Sequence, residues 1–426
     1  MPMNPNAQGR ALAMLNRVAQ ADWPDRLKLR KAFEKLLYRG TRVGFLLAAR
    51  RARKAPQQAS ADELFDLSLS DEQRMLVDML DAFALQTLRP AAHAADARAA
   101  LPAGLLNQAH ELGLAHYGVG EALGGLAGER TILTNALMAE ALAKGDLSLA
   151  AVLLAPLSAA NCIRRWASPE QQAAWLPAFV AAQPAPRTAI AVSEPTLLFD
   201  PQRLATRARR KSRHYLLNGE KCLVLDGLDA SRLIVAAETG KGPALFMVEG
   251  GSKGLQLRHE PAMGLKACGT ARIRFKDVKV PAENRLASVD FDYQAFLDLG
   301  HLAWCALALG TAQAALDYVI GYCNERTAFG EPISHRQGVA FMIADMAIEL
   351  DAIRLMVWRA CARADRGEAF RREAYLARLL CAEKAMKIGT DAVQLLGGHG
   401  FTQEHPAERW YRDLRAIAVM SGGLHL

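Results

Sequence analysis

The sequence has few cysteines, and the seven that it contains show neither a pairing pattern nor a metal-binding spacing. Scattered cysteines in an odd number predict a reducing compartment rather than a disulfide framework. No metal site is expected, because no Cys-x-x-Cys or mixed Cys and His spacing occurs. A signal-peptide pattern is absent, and apolar runs such as 147–160 are too short and alanine-rich for a membrane span. These absences predict a cytoplasmic protein.

Positive charge is concentrated at the start of the chain. Residues 1–54 contain thirteen Lys and Arg against three acidic residues, whereas residues 55–426 carry a net charge of −2. Apolar residues over 24–51 recur at the spacing of a basic amphipathic helix. We expect residues 24–54 to bind an anionic membrane surface or an acidic partner, or to pack on the rest of the protein. The first alternative would hold this cytoplasmic protein peripherally at a membrane, and no nucleic-acid partner is expected.

Hydrophobic periodicity changes twice along the rest of the chain. Helical spacing gives way to short runs of β-forming residues, and long helical patterns then return, one of them over 371–396. The predicted fold class is therefore α+β and mainly α. The predicted divisions are a basic extension with a linker over 1–63, an N-terminal helical bundle over 64–185, a β-barrel-like domain over 186–288 and a C-terminal four-helix bundle over 289–426.

Local signals predict where individual elements begin and end. Ser70 and Ser168 each precede a glutamine by three residues, which is the pattern of a capping box and predicts a helix start. Pro90 predicts that the first of these helices ends near Leu88. The pair Asn218-Gly219 is typical of a hairpin turn between two strands.

Six short motifs follow one another through the β-rich and C-terminal segments. Together with the order of elements, they make residues 68–423 similar to the acyl-CoA dehydrogenase family. One such motif would be weak, but six in order at the family's spacing are specific. The motifs are Val-Ser-Glu-Pro at 192–195, Asn-Gly-Glu-Lys at 218–221, Phe-Lys-Asp-Val-Lys-Val-Pro at 275–281, Arg-x-x-Phe-Gly with the following Gln and Ala-Asp-Met over 326–346, Gln-x-x-Gly-Gly-x-Gly at 394–400 and the Arg-Asp segment at 408–413.

The resemblance implies an FAD cofactor, an acyl-CoA substrate and assembly into a homodimer or homotetramer. In the family, the arginine of Arg-x-x-Phe-Gly reaches the FAD pyrophosphate of a neighbouring subunit, and Arg326 can supply that charge-assisted contact. The glycine pair at 397–398 lets backbone amides approach a ligand. The cofactor-binding residues implied in this way are Ser193, Arg326, Phe329, Gln337, Gln394, Gly397 and Gly398.

The catalytic carboxylate of the family is missing from its expected positions. In the family, a glutamate after the Arg-Asp segment removes the proton α to the thioester carbonyl, and Ser421 stands at that position here. A serine hydroxyl with no evident adjacent histidine is too weakly basic for this role. Other members carry the glutamate on an earlier helix, where this chain has Gly300. Asp298 is the nearest surviving carboxylate, and His301 lies one helical turn away. Either is a candidate displaced base, and the structural alternative is a helix-surface acid and a helix-packing histidine. Asp298 and His301 are also the expected substrate-binding residues.

Further departures from the family surround the implied flavin ring. Residues 196–199 read Thr-Leu-Leu-Phe where the family has small residues, and Leu223 and Leu225 replace the usual Trp and Thr. These changes predict a flavin pocket that is narrowed or closed. Three functions therefore stay open: an FAD-dependent acyl-CoA dehydrogenase for α,β-dehydrogenation, a catalytically impaired pseudo-enzyme subunit or acyl-CoA-binding partner, and flavin monooxygenase-type chemistry on the same fold.

Overall fold

The computed structural model describes residues 68–128, 131–181 and 184–426. The basic segment 24–54 and the linker that follows it lie outside the described residues. Their predicted helix and binding roles therefore stay predictions.

Helices form the first part of the described chain. Ser70 and Ser168 form both predicted capping boxes. Each serine hydroxyl accepts a hydrogen bond from the backbone N–H of the glutamine three residues later, and the side-chain oxygen of that glutamine accepts one from the serine N–H. The predicted end near Leu88 is wrong: a π-helical turn over Ala84–Leu88 continues into the next helix, where Pro90 takes a first-turn position that tolerates its missing N–H. The helices are α1 (Asp71–Phe83), α2 (Arg89–Arg98), α3 (Leu105–Glu111), α4 (Thr131–Ala143), α5 (Leu147–Leu153), α6 (Ala155–Trp166), α7 (Pro169–Trp175) and α8 (Pro177–Ala181).

A seven-stranded mixed sheet follows. Its strand order is β1-β4-β2-β3-β7-β6, with β5 also paired to β4, and β1 runs parallel to β4. Alternating burial along β7 shows one face packed on the core and the other exposed. The strands are β1 (Thr188–Ala191), β2 (Arg207–Lys211), β3 (His214–Val224), β4 (Arg232–Glu238), β5 (Pro243–Glu249), β6 (Leu255–His259) and β7 (Ala271–Pro281).

The hairpin predicted at Asn218-Gly219 is wrong. These residues lie inside β3, at a register shift against β7, and the turn into β3 lies instead at Ser212 and Arg213. Gly219 is needed because a Cβ there would lie 2.5 Å from the Thr206 hydroxyl. The Asn218 side chain bonds Asp277 across the strands. The Asn-Gly pair therefore lies at a bulge, where Gly219 lets the backbone pass close to Thr206, and not at a hairpin turn.

The C-terminal part returns to helices, three of them long. The first, α9, is long and apolar enough to cross a membrane, which corrects the expectation that the chain has no such run. However, 89% of its most apolar 18-residue stretch is buried inside the protein. Its Trp304 is fully buried and donates an indole hydrogen bond to the Gly422 carbonyl oxygen (2.9 Å). The elements are α9 (Tyr293–Glu325), the short strands β8 (Thr327–Ala328) and β9 (Glu331–Pro332), α10 (Gln337–Asp365), α11 (Arg371–Leu396) and α12 (Ala407–Leu414).

Candidate functional site

A cavity of about 1260 Å³ lies between the sheet and the C-terminal helices. The loop after β1 and strand β3 form one wall, and α9, the start of α11 and the segment 418–421 form the other. Its volume exceeds the usual range for ligand pockets, about 300–1,000 Å³. Side chains that line it include Ser193, Leu223, Asp298, His301, Arg378 and Ser421.

The turn that carries Ser421 is held from several elements. The Ser193 hydroxyl donates to the Ser421 carbonyl oxygen (2.8 Å), and Trp304 holds the next carbonyl. Arg378 donates from both terminal nitrogens to the Met420 carbonyl oxygen at 3.2 Å each. No sequence pattern connects Arg378 with this turn, because the two are separated by 42 positions. The turn is therefore fixed before any ligand binds.

His301 lies next to Ser421, which corrects the expectation that this serine has no adjacent histidine. Its Nε2 is 3.4 Å from the Ser421 hydroxyl oxygen. Burial and the nearby positive charge of Arg378 lower the pKa of His301 to about 3. The imidazole is thus neutral at physiological pH and is a weak base, so it activates Ser421 little.

Asp298 presents a buried carboxylate to the same cavity. Gln294 donates to its Oδ1 (2.8 Å), while Oδ2 has no hydrogen-bond partner among the described residues and the residue is only 5% exposed. Burial raises the pKa of the Asp298 carboxyl to about 6. The three other carboxylates on the wall are differently placed, because Glu194, Asp200 and Glu373 lie in ion pairs. Asp298 thus has the free lone pairs and the near-neutral pKa that a general base needs.

A buried ion pair supports the wall beneath Ser193. The Lys221 ammonium donates to Glu194 (2.8 Å) and to the Val192 carbonyl oxygen (2.9 Å), and both side chains are almost inaccessible to solvent. Glu194 also accepts from two backbone N–H groups after the loop. Burial lowers the pKa of Lys221 to about 8. The sequence showed the two motifs that contain these residues, but not that they pair.

Three family models match the chain in the order of its segments. They describe the acyl-CoA dehydrogenase N-terminal domain over residues 70–183, the middle domain over 189–278 and the C-terminal domain over 293–424. The chain belongs to the acyl-CoA dehydrogenase family. This confirms the predicted family and the α+β, mainly α, fold class. The domain boundaries proposed from the sequence stay predictions.

Individual acyl-CoA dehydrogenases and related structures match most of the chain. The human mitochondrial short-chain specific acyl-CoA dehydrogenase is 32% identical over 366 residues, which cover 84% of this chain and 88% of that protein. The structure of butyryl-CoA dehydrogenase from Megasphaera elsdenii matches with a TM-score of 0.76 at 30% identity. The match covers 83% of this chain and 95% of the butyryl-CoA dehydrogenase chain. The FAD complex of PigA matches with the same TM-score at 28% identity, and the match covers 84% of this chain and 96% of the PigA chain.

The predicted site residues of this acyl-CoA dehydrogenase homologue fall into two groups. Ser193, Asp298, His301 and Ser421 line the cavity. The others lie on the surface where α9 ends, α10 begins and α11 ends, and the Tyr322 hydroxyl links two of these segments through His399 (2.9 Å). The structure therefore does not bring the ten residues together within one chain. The exposed group consists of Arg326, Phe329, Gln337, Gln394, Gly397 and Gly398.

The cavity is open, so the bulky residues do not close it, whereas the expected narrowing of a flavin pocket stays a prediction. Leu197 and Leu198 are 94% and 92% exposed, and Leu198 and Phe199 lie in the wall without filling the space. Leu223 also lines the wall. Leu225 does not, since it is fully buried and packs toward Gly423.

Proposed function

We propose that this protein is an FAD-dependent acyl-CoA dehydrogenase-type oxidoreductase that forms a double bond between the α- and β-carbons of an acyl-CoA thioester. The observation that carries the proposal is the buried carboxylate of Asp298, a residue that lines the cavity. Its pKa is about 6, and one of its oxygens has no partner within the described chain. Support also comes from the relatives, whose names are short-chain specific acyl-CoA dehydrogenase and butyryl-CoA dehydrogenase.

The residues present fit a flavin. The cavity is large enough, Leu223 offers an apolar surface for a ring, and Ser193 lies at the edge of the same wall. A bound flavin supplies the hydride acceptor for the β-carbon. The six exposed residues from Arg326 to Gly398 lie outside this cavity and would bind the cofactor of a second copy, so we propose a homodimer or homotetramer.

Asp298 is the proposed base. Above pH 6 its carboxylate takes the proton from the α-carbon, and the electron pair of that C–H bond becomes part of the new double bond as the β-hydride leaves. Gln294 fixes one carboxylate oxygen by donating to it, which leaves Oδ2 to receive the proton. The fixed turn at Met420–Gly422 and the neutral His301 belong to the same wall of the cavity as Asp298 and border the substrate beside it.

The visible spectrum of the purified protein tests this function. We expect flavin absorption bands that bleach when butyryl-CoA is added without oxygen. A protein without flavin bands would refute the proposal and favour a pseudo-enzyme or acyl-CoA-binding role. Flavin that stays oxidised with acyl-CoAs of several chain lengths would favour monooxygenase-type chemistry instead if the protein consumes oxygen together with a reductant.

A further inference from the structure

Arg378 is a cation in the cavity wall that has no acidic partner among the described residues. It extends from α11 and donates to one backbone carbonyl, that of Met420. A guanidinium has five N–H donors, so three remain without an acceptor in this part of the chain. Arg371 and Arg372, which line the same cavity, also form no ion pair within the ranges that the structure describes. The Asp298 carboxylate interacts with the charge of Arg371, so the positive charge of this wall is neutralised only in part.

The surroundings of Arg378 explain why the charge of this arginine is uncompensated. The family's two positions for a glutamate hold Ser421 and Gly300 here, and a Cβ on Gly300 would meet the Leu424 carbonyl oxygen at 3.0 Å. The serine hydroxyl and His301 Nε2 lie 3.4 Å apart beside the arginine. A cation that is largely removed from water is costly unless an anion pairs with it. A ligand can supply that anion.

We propose that Arg378, His301 and Ser421 form an anion subsite that binds a carboxylate on the acyl group of the substrate. The arginine fork pairs with the carboxylate, and the serine hydroxyl or a neutral imidazole N–H donates to it. The proposal rests on the proposed function, and it specifies the substrate class as a dicarboxylic acyl thioester.

Helix geometry sets the length of that acyl group. Asp298 and His301 are three residues apart on α9, which places them on the same face with about 5–6 Å between their Cβ atoms. The acyl α-carbon lies at Asp298 if this residue is the base, and the carboxylate lies at the subsite beside His301. A short chain of about four or five carbons spans that distance. A longer dicarboxylic acyl chain would place its terminal carboxylate beyond the subsite.

Binding of two matched ligands to the flavin-loaded protein tests the subsite. Glutaryl-CoA and pentanoyl-CoA have the same chain length and the same CoA phosphates, so the ratio of their dissociation constants isolates the carboxylate. We expect calorimetry to show glutaryl-CoA binding at least about tenfold more tightly. Arg378→Gln should abolish this ratio and Arg378→Lys should keep part of it. Lys253→Gln, at an exposed position of the β domain, is the matched control and should leave it unchanged.

Several outcomes would overturn the subsite. Equal dissociation constants for the two thioesters would do so, as would a ratio that survives Arg378→Gln. A purely structural role of Arg378 in holding the 420–422 turn would weaken both ligands equally and leave the ratio intact. The proposed function fails separately from the subsite. Selective binding of glutaryl-CoA without bleaching of the flavin would refute the dehydrogenase function and support the subsite. Equal bleaching by both thioesters without selective binding would refute the subsite and support the dehydrogenase function.

Discussion

Replacing Asp298 with asparagine removes the proposed base and leaves the shape of the cavity nearly unchanged. The side-chain amide oxygen introduced by Asp298→Asn can still accept from Gln294, which donates at 2.8 Å in the native protein. At pH 7 a carboxyl group with a pKa of about 6 is about nine-tenths ionised, so most of the protein carries the active base. A positioned general base contributes about 10²–10⁴-fold to a rate. We expect flavin reduction by acyl-CoA to slow by that factor, with little change in binding.

The same substitution should stabilise the fold above pH 6. Burial raises the pKa of Asp298 from 3.8 to about 6, so the folded protein resists ionisation of this group. The difference corresponds to about 3 kcal/mol at most, and screening by water in the cavity reduces it to about 1–2 kcal/mol. The free energy of unfolding of the native protein should therefore fall by this amount as the pH rises from about 4 to 6. The advantage of Asp298→Asn should therefore vanish below pH 4, where the aspartate is protonated in both states.

Stopped-flow reduction of the flavin and urea denaturation measure the two effects. Asp78→Asn, at an exposed carboxylate on α1, is the control for loss of a negative charge and should change neither quantity. A reduction rate within about threefold of the native rate would exclude Asp298 as the base, since the smallest expected loss is about 10²-fold. A stability gain without a loss of rate would confirm the buried charge and refute its catalytic use.

Three other substitutions test the remaining features. Lys221→Met should lower the free energy of unfolding by about 3–5 kcal/mol because it leaves Glu194 buried and unpaired, and the double variant with Glu194→Gln should recover most of the loss in urea denaturation. Burial lowers the pKa of His425 to about 3, so the unfolded chain binds a proton at this residue more readily than the folded protein does. The free energy of unfolding should therefore fall as the pH drops from 6.5 toward 3, and His425→Gln should remove about 2 kcal/mol of that loss at pH 5. Arg326→Ala should lower the flavin absorbance per protein after gel filtration, whereas Lys253→Ala should not.

Periodicity and capping are sufficient to predict most of the helices. The pattern over 371–396 matches α11 in full, and both capping boxes form as predicted, since these signals depend on neighbours within one turn. No sequence pattern predicts strand β2, because Arg207–Lys211 is almost entirely basic and lacks β-forming residues. It is a strand because β3 pairs along its whole length, which no local pattern reveals.

The candidate site is predictable only where family motifs mark it. Motifs lead to Ser193 and Ser421, and their proximity within the cavity agrees with a shared site. Arg378 carries no motif, and its contact with Met420 joins α11 to a turn far along the chain. The contact between His301 and Ser421 escapes sequence reasoning for the same reason, because it spans 120 positions. Long-range pairs of this kind depend on tertiary packing, which sequence spacing does not encode.

The proposed base and the proposed anion subsite lie on one face of α9, so each should affect the titration of the other. A carboxylate bound beside His301 places a negative charge about 5–6 Å from Asp298, and a nearby like charge raises the pKa of a carboxyl group. The positive charge of Arg378 offsets part of this effect. We expect the rate of flavin reduction to rise with pH around an apparent pKa of about 6 for pentanoyl-CoA, and around a higher value for glutaryl-CoA. Arg378→Lys should keep the direction of this difference. A lower apparent pKa with glutaryl-CoA would place its carboxylate away from Asp298 and contradict the subsite.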